Sequence, residues 1–122
     1  MTAEWQTELK HFIGTSGWYQ LEGQTISTLT DGTRFLAEKS KSVAPFVVID
    51  EFLATYVKTF LCSNFKFNHE DRTAEINCHD GNYNTQYFTT FREVDYPLDD
   101  LEIWTQWSPS MNLWVHMLPS EY

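Results

Sequence analysis

Near Phe65 the spacing of apolar residues changes from about 3.6 to about 2, and this switch limits the chain to one broad class of fold. Before it, Phe46, Ile49, Phe52, Leu53, Tyr56, Val57 and Phe60 gather on one broad face at about 100° per residue, with Glu51, Thr55 and Lys58 opposite. After it, alternation predicts strands over 65–69, 73–79, 85–92, 101–107 and 113–118. Glu70-Asp71, Asp80-Gly81-Asn82, Tyr96-Pro97 and Ser108-Pro109-Ser110 divide them. Connections this short suit antiparallel neighbours, not βαβ crossovers. The expectation is a two-layer α+β domain, with N-terminal helices packed on a C-terminal antiparallel sheet of about four to five strands.

The first half adds shorter elements. Trp5, Leu9, Phe12 and Ile13 lie at helical spacing within 3–13, with Thr2 placed to cap and Gly14 to stop the helix. Residues 18–21 and 25–29 are β-like but brief. Asp31-Gly32 could turn a hairpin, but the helix formers after it favour Asp31 as an N-cap. Ser42 with Pro45 opens the long helical pattern. Asp50 borders its apolar face, where a carboxylate is costly unless hydrogen-bonded, so it is expected to be partly buried with a partner. Cys62, placed at the end of this helix, and Cys78, in a strand, read as buried free thiols.

With 122 residues the chain suits a single domain, 1–122, able to bury a core without staples. No apolar run approaches the ~20 residues that cross a bilayer, so no membrane association is expected. The start, Met1-Thr2-Ala3-Glu4-Trp5-Gln6, has neither a basic flank nor an apolar stretch, which points to a cytoplasmic protein. The net charge of −9 is uneven. Residues 1–66 carry 6 basic and 7 acidic side chains; residues 67–122 carry Arg72 and Arg92 against ten carboxylates. Such a balance opposes direct nucleic-acid binding, which rests on Lys and Arg at phosphates, and favours a protein partner with a basic surface.

Alternation also assigns faces. Ala74, Ile76, Cys78, Tyr87, Phe91, Leu101, Ile103, Trp107, Leu113, Val115 and Met117 are expected to point to the helices. Phe88, Trp104 and Trp114, with His79 and His116, then fall on the opposite face. Three large aromatics on a solvent face mark a contact with a partner or a second copy, unless the N-terminal segments fold over them. The densest acidic run contains Glu93, Asp95, Asp99, Asp100 and Glu102, interleaved with Tyr96 and Leu98 as contact anchors. It reads either as a solvated loop or as a docking loop for a basic groove. His11, His69, His79 and His116 form no local metal-ligand pair, so no metal or other cofactor is expected. Cys78 and His79, adjacent in a strand, point apart, and no nucleophile elbow, P-loop or dinucleotide fingerprint occurs. No catalytic residue is assigned. The expectation is a non-enzymatic interaction module; the alternative is a small enzyme or ligand binder with a pocket between helix and sheet.

Four segments, Glu8-Leu9-Lys10-His11-Phe12-Ile13-Gly14-Thr15, Thr30-Asp31-Gly32-Thr33-Arg34-Phe35-Leu36-Ala37-Glu38, Pro45-Phe46-Val47-Val48-Ile49-Asp50-Glu51 and Leu118-Pro119-Ser120-Glu121-Tyr122, give the chain its family likeness. Through them it resembles a family of small uncharacterised bacterial, plasmid and phage proteins. The resemblance carries no site residues. It implies a mobile-element setting, in which an inhibitor blocking the nucleic-acid-binding surface of a host defence protein is one plausible occupation.

Overall fold

A computed structural model describes residues 11–20, 24–82, 84–92 and 96–122. In chain order the elements are β1 (Ser27–Leu29), α1 (Asp31–Ser40), α2 (Ala44–Leu53), β2 (Phe60–Asn68), β3 (Thr73–His79), β4 (Thr85–Arg92), β5 (Asp100–Ser108), β6 (Leu113–Met117) and a final 3-10 turn, Pro119–Glu121. The strands form one six-stranded sheet in the order β1-β6-β5-β2-β3-β4. All its pairs are antiparallel except β1 with β6, which run parallel. The α+β class holds, but the sheet is mixed and has six strands instead of four or five. The extra strand is β1, which lies within the brief β-like stretch 25–29 and gains its partner only from β6. No described helix is long and apolar enough to cross a membrane. The proposed helix at 3–13 lies largely outside the described residues.

Helix α1 starts one residue earlier than the Asp31 cap would place it. Thr30 is the N-cap, its hydroxyl accepting from the Thr33 amide while the Thr33 hydroxyl accepts from the Thr30 amide; Asp31 sits in the first turn, where a carboxylate complements the helix dipole. Helix α2 carries Pro45 in its first turn and ends at Leu53, well short of the run of apolar spacing. Its continuation winds down through i→i−3 bonds from Thr55 to Phe52 and from Tyr56 to Leu53. Val57 is then 92 % exposed, and Phe60 already belongs to β2. Residues 60–62 continue the helical spacing, yet they pair with β5, and from Cys62 onward with β3 as well. Two ladders of backbone hydrogen bonds outweigh a local preference worth only tenths of a kcal/mol per residue. Cys62 therefore lies in a strand, not at a helix end.

One face of the sheet holds the core. Leu61, Phe65, Ile76, Cys78 and Ile103 pack there with Leu36, Phe46, Ile49 and Leu53 of the helices. The assignment of faces succeeds for β3, β4 and β5 and is inverted for β6. Register pairs Thr105 with His116 and Trp107 with Trp114, so Trp114 and His116 lie on the helical side and Leu113, Val115 and Met117 on the other. Trp114 is 7 % exposed and meets Tyr56 and Trp107 at ring separations of 6.1 and 5.5 Å. The inversion has a simple cause. Trp114 through Met117 are all buried, so the strand is covered on both sides and offers no polar–apolar alternation to read. Replacing Trp114 by Ala should cost about 3–5 kcal/mol in a urea unfolding experiment, the usual range for deleting a buried aromatic side chain. Trp104→Ala should cost clearly less, because that indole is only half-buried on the opposite face.

Candidate functional site

Two groups of buried polar side chains tie the helices to the sheet. The first centres on His116, which has no exposed surface. Its Nε2 lies 2.8 Å from Asp50 Oδ1 on α2, and its Nδ1 lies 2.8 Å from Thr105 Oγ1 on β5. The Ser27 hydroxyl of β1 donates to the other Asp50 oxygen at 2.7 Å. A hydroxyl, an imidazole and a carboxylate in line is an arrangement able to activate a nucleophile. Here the hydroxyls of Thr105 and Ser27 belong to fully buried residues, so the chain locks three strands to a helix. Asp50 finds its partners across the core in His116 and Ser27, while His69 pairs with Asp99 at 3.0 Å on the surface.

The second group joins the end of the chain to the start of α1. The Glu121 carboxylate accepts from the Thr30 hydroxyl at 2.6 Å and from the Gly32 and Leu118 amides at 2.9 Å each. It thereby supplies an anion to the N-terminus of α1, which needs acceptors for its free amides. A Cβ on Gly32 would stand 2.6 Å from Leu118 Cδ1 and 2.7 Å from Glu121 Oε1, so only glycine permits this approach. Asp31, one residue earlier, faces the other way. Its carboxylate accepts from Ser16 N and Oγ at 2.8 and 2.9 Å and from the Tyr19 hydroxyl at 2.8 Å, while Thr15 Oγ1 accepts the Asp31 amide. Residues 15–19, 30–33 and 118–121 thus meet at one helix end, although they are far apart in sequence.

The surface residues expected to bind a partner divide three ways. Phe88 and Trp104 do share the face away from the helices, by their register with Asn77 and Cys62; Trp114 does not join them. Asp99, Asp100 and Glu102 are exposed. Tyr96 and Leu98 are not contact anchors for a partner, because they are buried at 2 and 3 % exposure, Tyr96 stacked on Phe67 with ring centroids 4.3 Å apart. Aromatic and aliphatic side chains in an acidic loop are drawn into the nearest core even where their neighbours stay in water. Glu93 and Asp95 lie outside the described residues. The face away from the helices holds one further feature that alternation missed: Trp104, Phe60 and Tyr122 form an aromatic group, with Tyr122 5.2 Å from Trp104 and 6.1 Å from Phe60.

A family model covers residues 3–122 of the chain. The chain belongs to the family of unknown function DUF6876. No curated protein and no solved structure matches it. In this DUF6876 protein the sequence signal for the buried network is a polar residue inside an apolar run, His116 between Val115 and Met117, whereas Thr105 stands beside the polar Gln106. That pattern announces a buried hydrogen bond but cannot say to what. Thr30, Gly32 and Glu121 give even less away, since a capping sequence is legible and its distant acid is not.

Titration follows the same contacts. Burial pushes the Cys62 thiol up to about 12, helped by Glu102, and the Cys78 thiol up to about 11, which leaves both as inert thiols at neutral pH. Lys58, 2.8 Å away, holds the Asp80 carboxyl well below the usual carboxylate range. The Ser16 amide, followed by the Tyr19 and Ser16 hydroxyls, lowers Asp31 from its ordinary 3.8. A carboxyl depressed in the folded state stabilises fully above its unfolded value and loses that contribution as pH falls through the folded one. The melting temperature of the protein should therefore exceed that of Asp31→Asn above pH 3.8, and the two should converge only below it. Gly32→Ala should cost about 1–3 kcal/mol, the range for overpacking a filled site, read as a lower urea midpoint.

Proposed function

We propose that this DUF6876 protein is a non-enzymatic interaction module that docks a protein with a basic surface, using the sheet face away from its helices and the acidic end of that face. The reading rests on one observation: the described helices cover one side of the sheet, while Phe88 and Tyr122 stand 56 and 69 % exposed on the other. Partly exposed aromatics grouped on a sheet are the usual anchors of a protein interface. At the end of the sheet where the β2–β3 turn meets the start of β5, Glu70, Asp71, Glu75, Asp99, Asp100 and Glu102 stand exposed with Lys66, Arg72 and Arg92. The excess of carboxylates suits steering of a basic partner and opposes contact with phosphates.

The finer reading is an inhibitor that occupies a nucleic-acid-binding surface of a host defence protein, acting in the cytoplasm of a cell that a phage or plasmid has entered. Carboxylates spaced along one sheet end imitate a row of phosphates, which supports that choice. The competing idea of an enzyme pocket between helix and sheet finds its best candidate in the Thr105–His116–Asp50 chain, whose hydroxyl and imidazole have no exposed surface.

The test is binding kinetics on a partner captured from host lysate. Association should slow as salt shortens the screening length from about 8 Å near physiological ionic strength to about 3 Å at 1 M. The double reversal Asp99→Lys with Asp100→Lys should slow association more than it speeds dissociation. A partner indifferent to both salt and reversal would remove the acidic end from the interface.

A further inference from the structure

Beside the Phe60–Trp104–Tyr122 group, the sheet face carries a cup of about 450 Å³. Met111, Val115 and Met117 line it together with Trp18, Tyr122 and Glu121. Its composition is selective. Met111, Val115 and Met117 offer an apolar surface that adapts to an occupant's stem. Trp18 and Tyr122 are 53 and 69 % exposed, so their rings remain open to an occupant. Among the described residues no lysine, arginine or histidine lines the cup, and its one acidic residue, Glu121, is already held by Thr30, Gly32 and Leu118. The chain as a whole carries −9.

We infer that this cup is an arginine-binding pocket, which receives an arginine side chain of the basic partner. The inference rests on the proposed docking function and names its anchor. An arginine joins the three properties that the cup offers to accept: a long apolar stem, a planar cation that stacks on indole and phenol rings, and a positive charge. Lysine shares the stem and the charge but keeps a tightly hydrated ammonium and lacks the plane. A leucine or phenylalanine would fill the apolar part and make no use of the chain's negative charge. The molecule already uses the same contact once on its own surface, where the Arg34 guanidinium lies 4.2 Å from the centre of the Tyr19 ring. Arginine is also among the residues that most often dominate interface energetics, which suits a single anchor beside an acidic steering surface.

The experiment titrates the isolated full chain, isotopically labelled, with blocked single amino acids and follows the Trp18 indole resonance. Blocked arginine should give a saturable shift in the millimolar range that weakens with salt. Blocked citrulline, which keeps the shape and loses the charge, and blocked lysine should each bind about three- to thirty-fold more weakly, the span a cation–aromatic contact supplies. Trp18→Ala and Tyr122→Ala, both at exposed rings, should each weaken arginine binding by a similar factor, followed on the Met111 and Met117 methyl resonances. Equal binding of citrulline and arginine, stronger binding of blocked leucine, or no saturable shift with arginine would each overturn the pocket. These outcomes separate from the docking function itself. If the pocket fails while the Asp99/Asp100 reversal still slows association with the captured partner, the docking surface stands without its arginine anchor.

Discussion

The burial of one carboxylate, that of Glu121, at the start of α1 sets the geometry on which much of the molecule depends. A buried charge is tolerated only when hydrogen bonds replace its water, and here a hydroxyl and two backbone amides do so. The arrangement ties the residues after β6 to the residues after β1. Because β1 and β6 run parallel, the two strands leave the sheet at the same end, which brings Leu118–Glu121 and Thr30–Gly32 together. Glycine at position 32 is the steric condition for that approach.

The same contact positions the surface. By holding the last turn against α1, Glu121 sets Tyr122 beside Phe60 and Trp104 and completes one wall of the Met111–Val115–Met117 cup. On the other side of the sheet, the His116 network does the equivalent work for α2. Asp50 draws the helix onto β1, β5 and β6 through Ser27, Thr105 and His116. Each network satisfies its own polar atoms, as the helical side of a filled core requires. Among the described residues, the helices pack on one face of the sheet, and Phe88 stays exposed on the other.

Much of this was open to a reader of the sequence, and the limits are physical. Strict alternation along 73–79 and 101–107 identified those strands and their inner faces, because each has one wet and one dry side. The acidic end was legible as a charge excess. The anchors within it were not, since Tyr96 and Leu98 look alike in sequence whether they face a partner or their own core. Residues 60–62 deceived by carrying a helical spacing into a strand, a case in which pairing with neighbouring strands overrides a local preference.

By itself the sequence determined the elements whose pattern is local: the change of period near Phe65, the strands that follow, the capped start of α1 and the uneven charge. Tertiary structure alone decided the parallel pairing of β1, the side to which Trp114 and His116 point, and the partners of Asp50 and Glu121. Periodicity and capping arise from residues a few positions apart, which a single chain displays in order. The face of a doubly covered strand and the donor that meets a buried carboxylate depend on residues such as Thr30 and Glu121, 91 positions apart, whose meeting only the closed sheet creates.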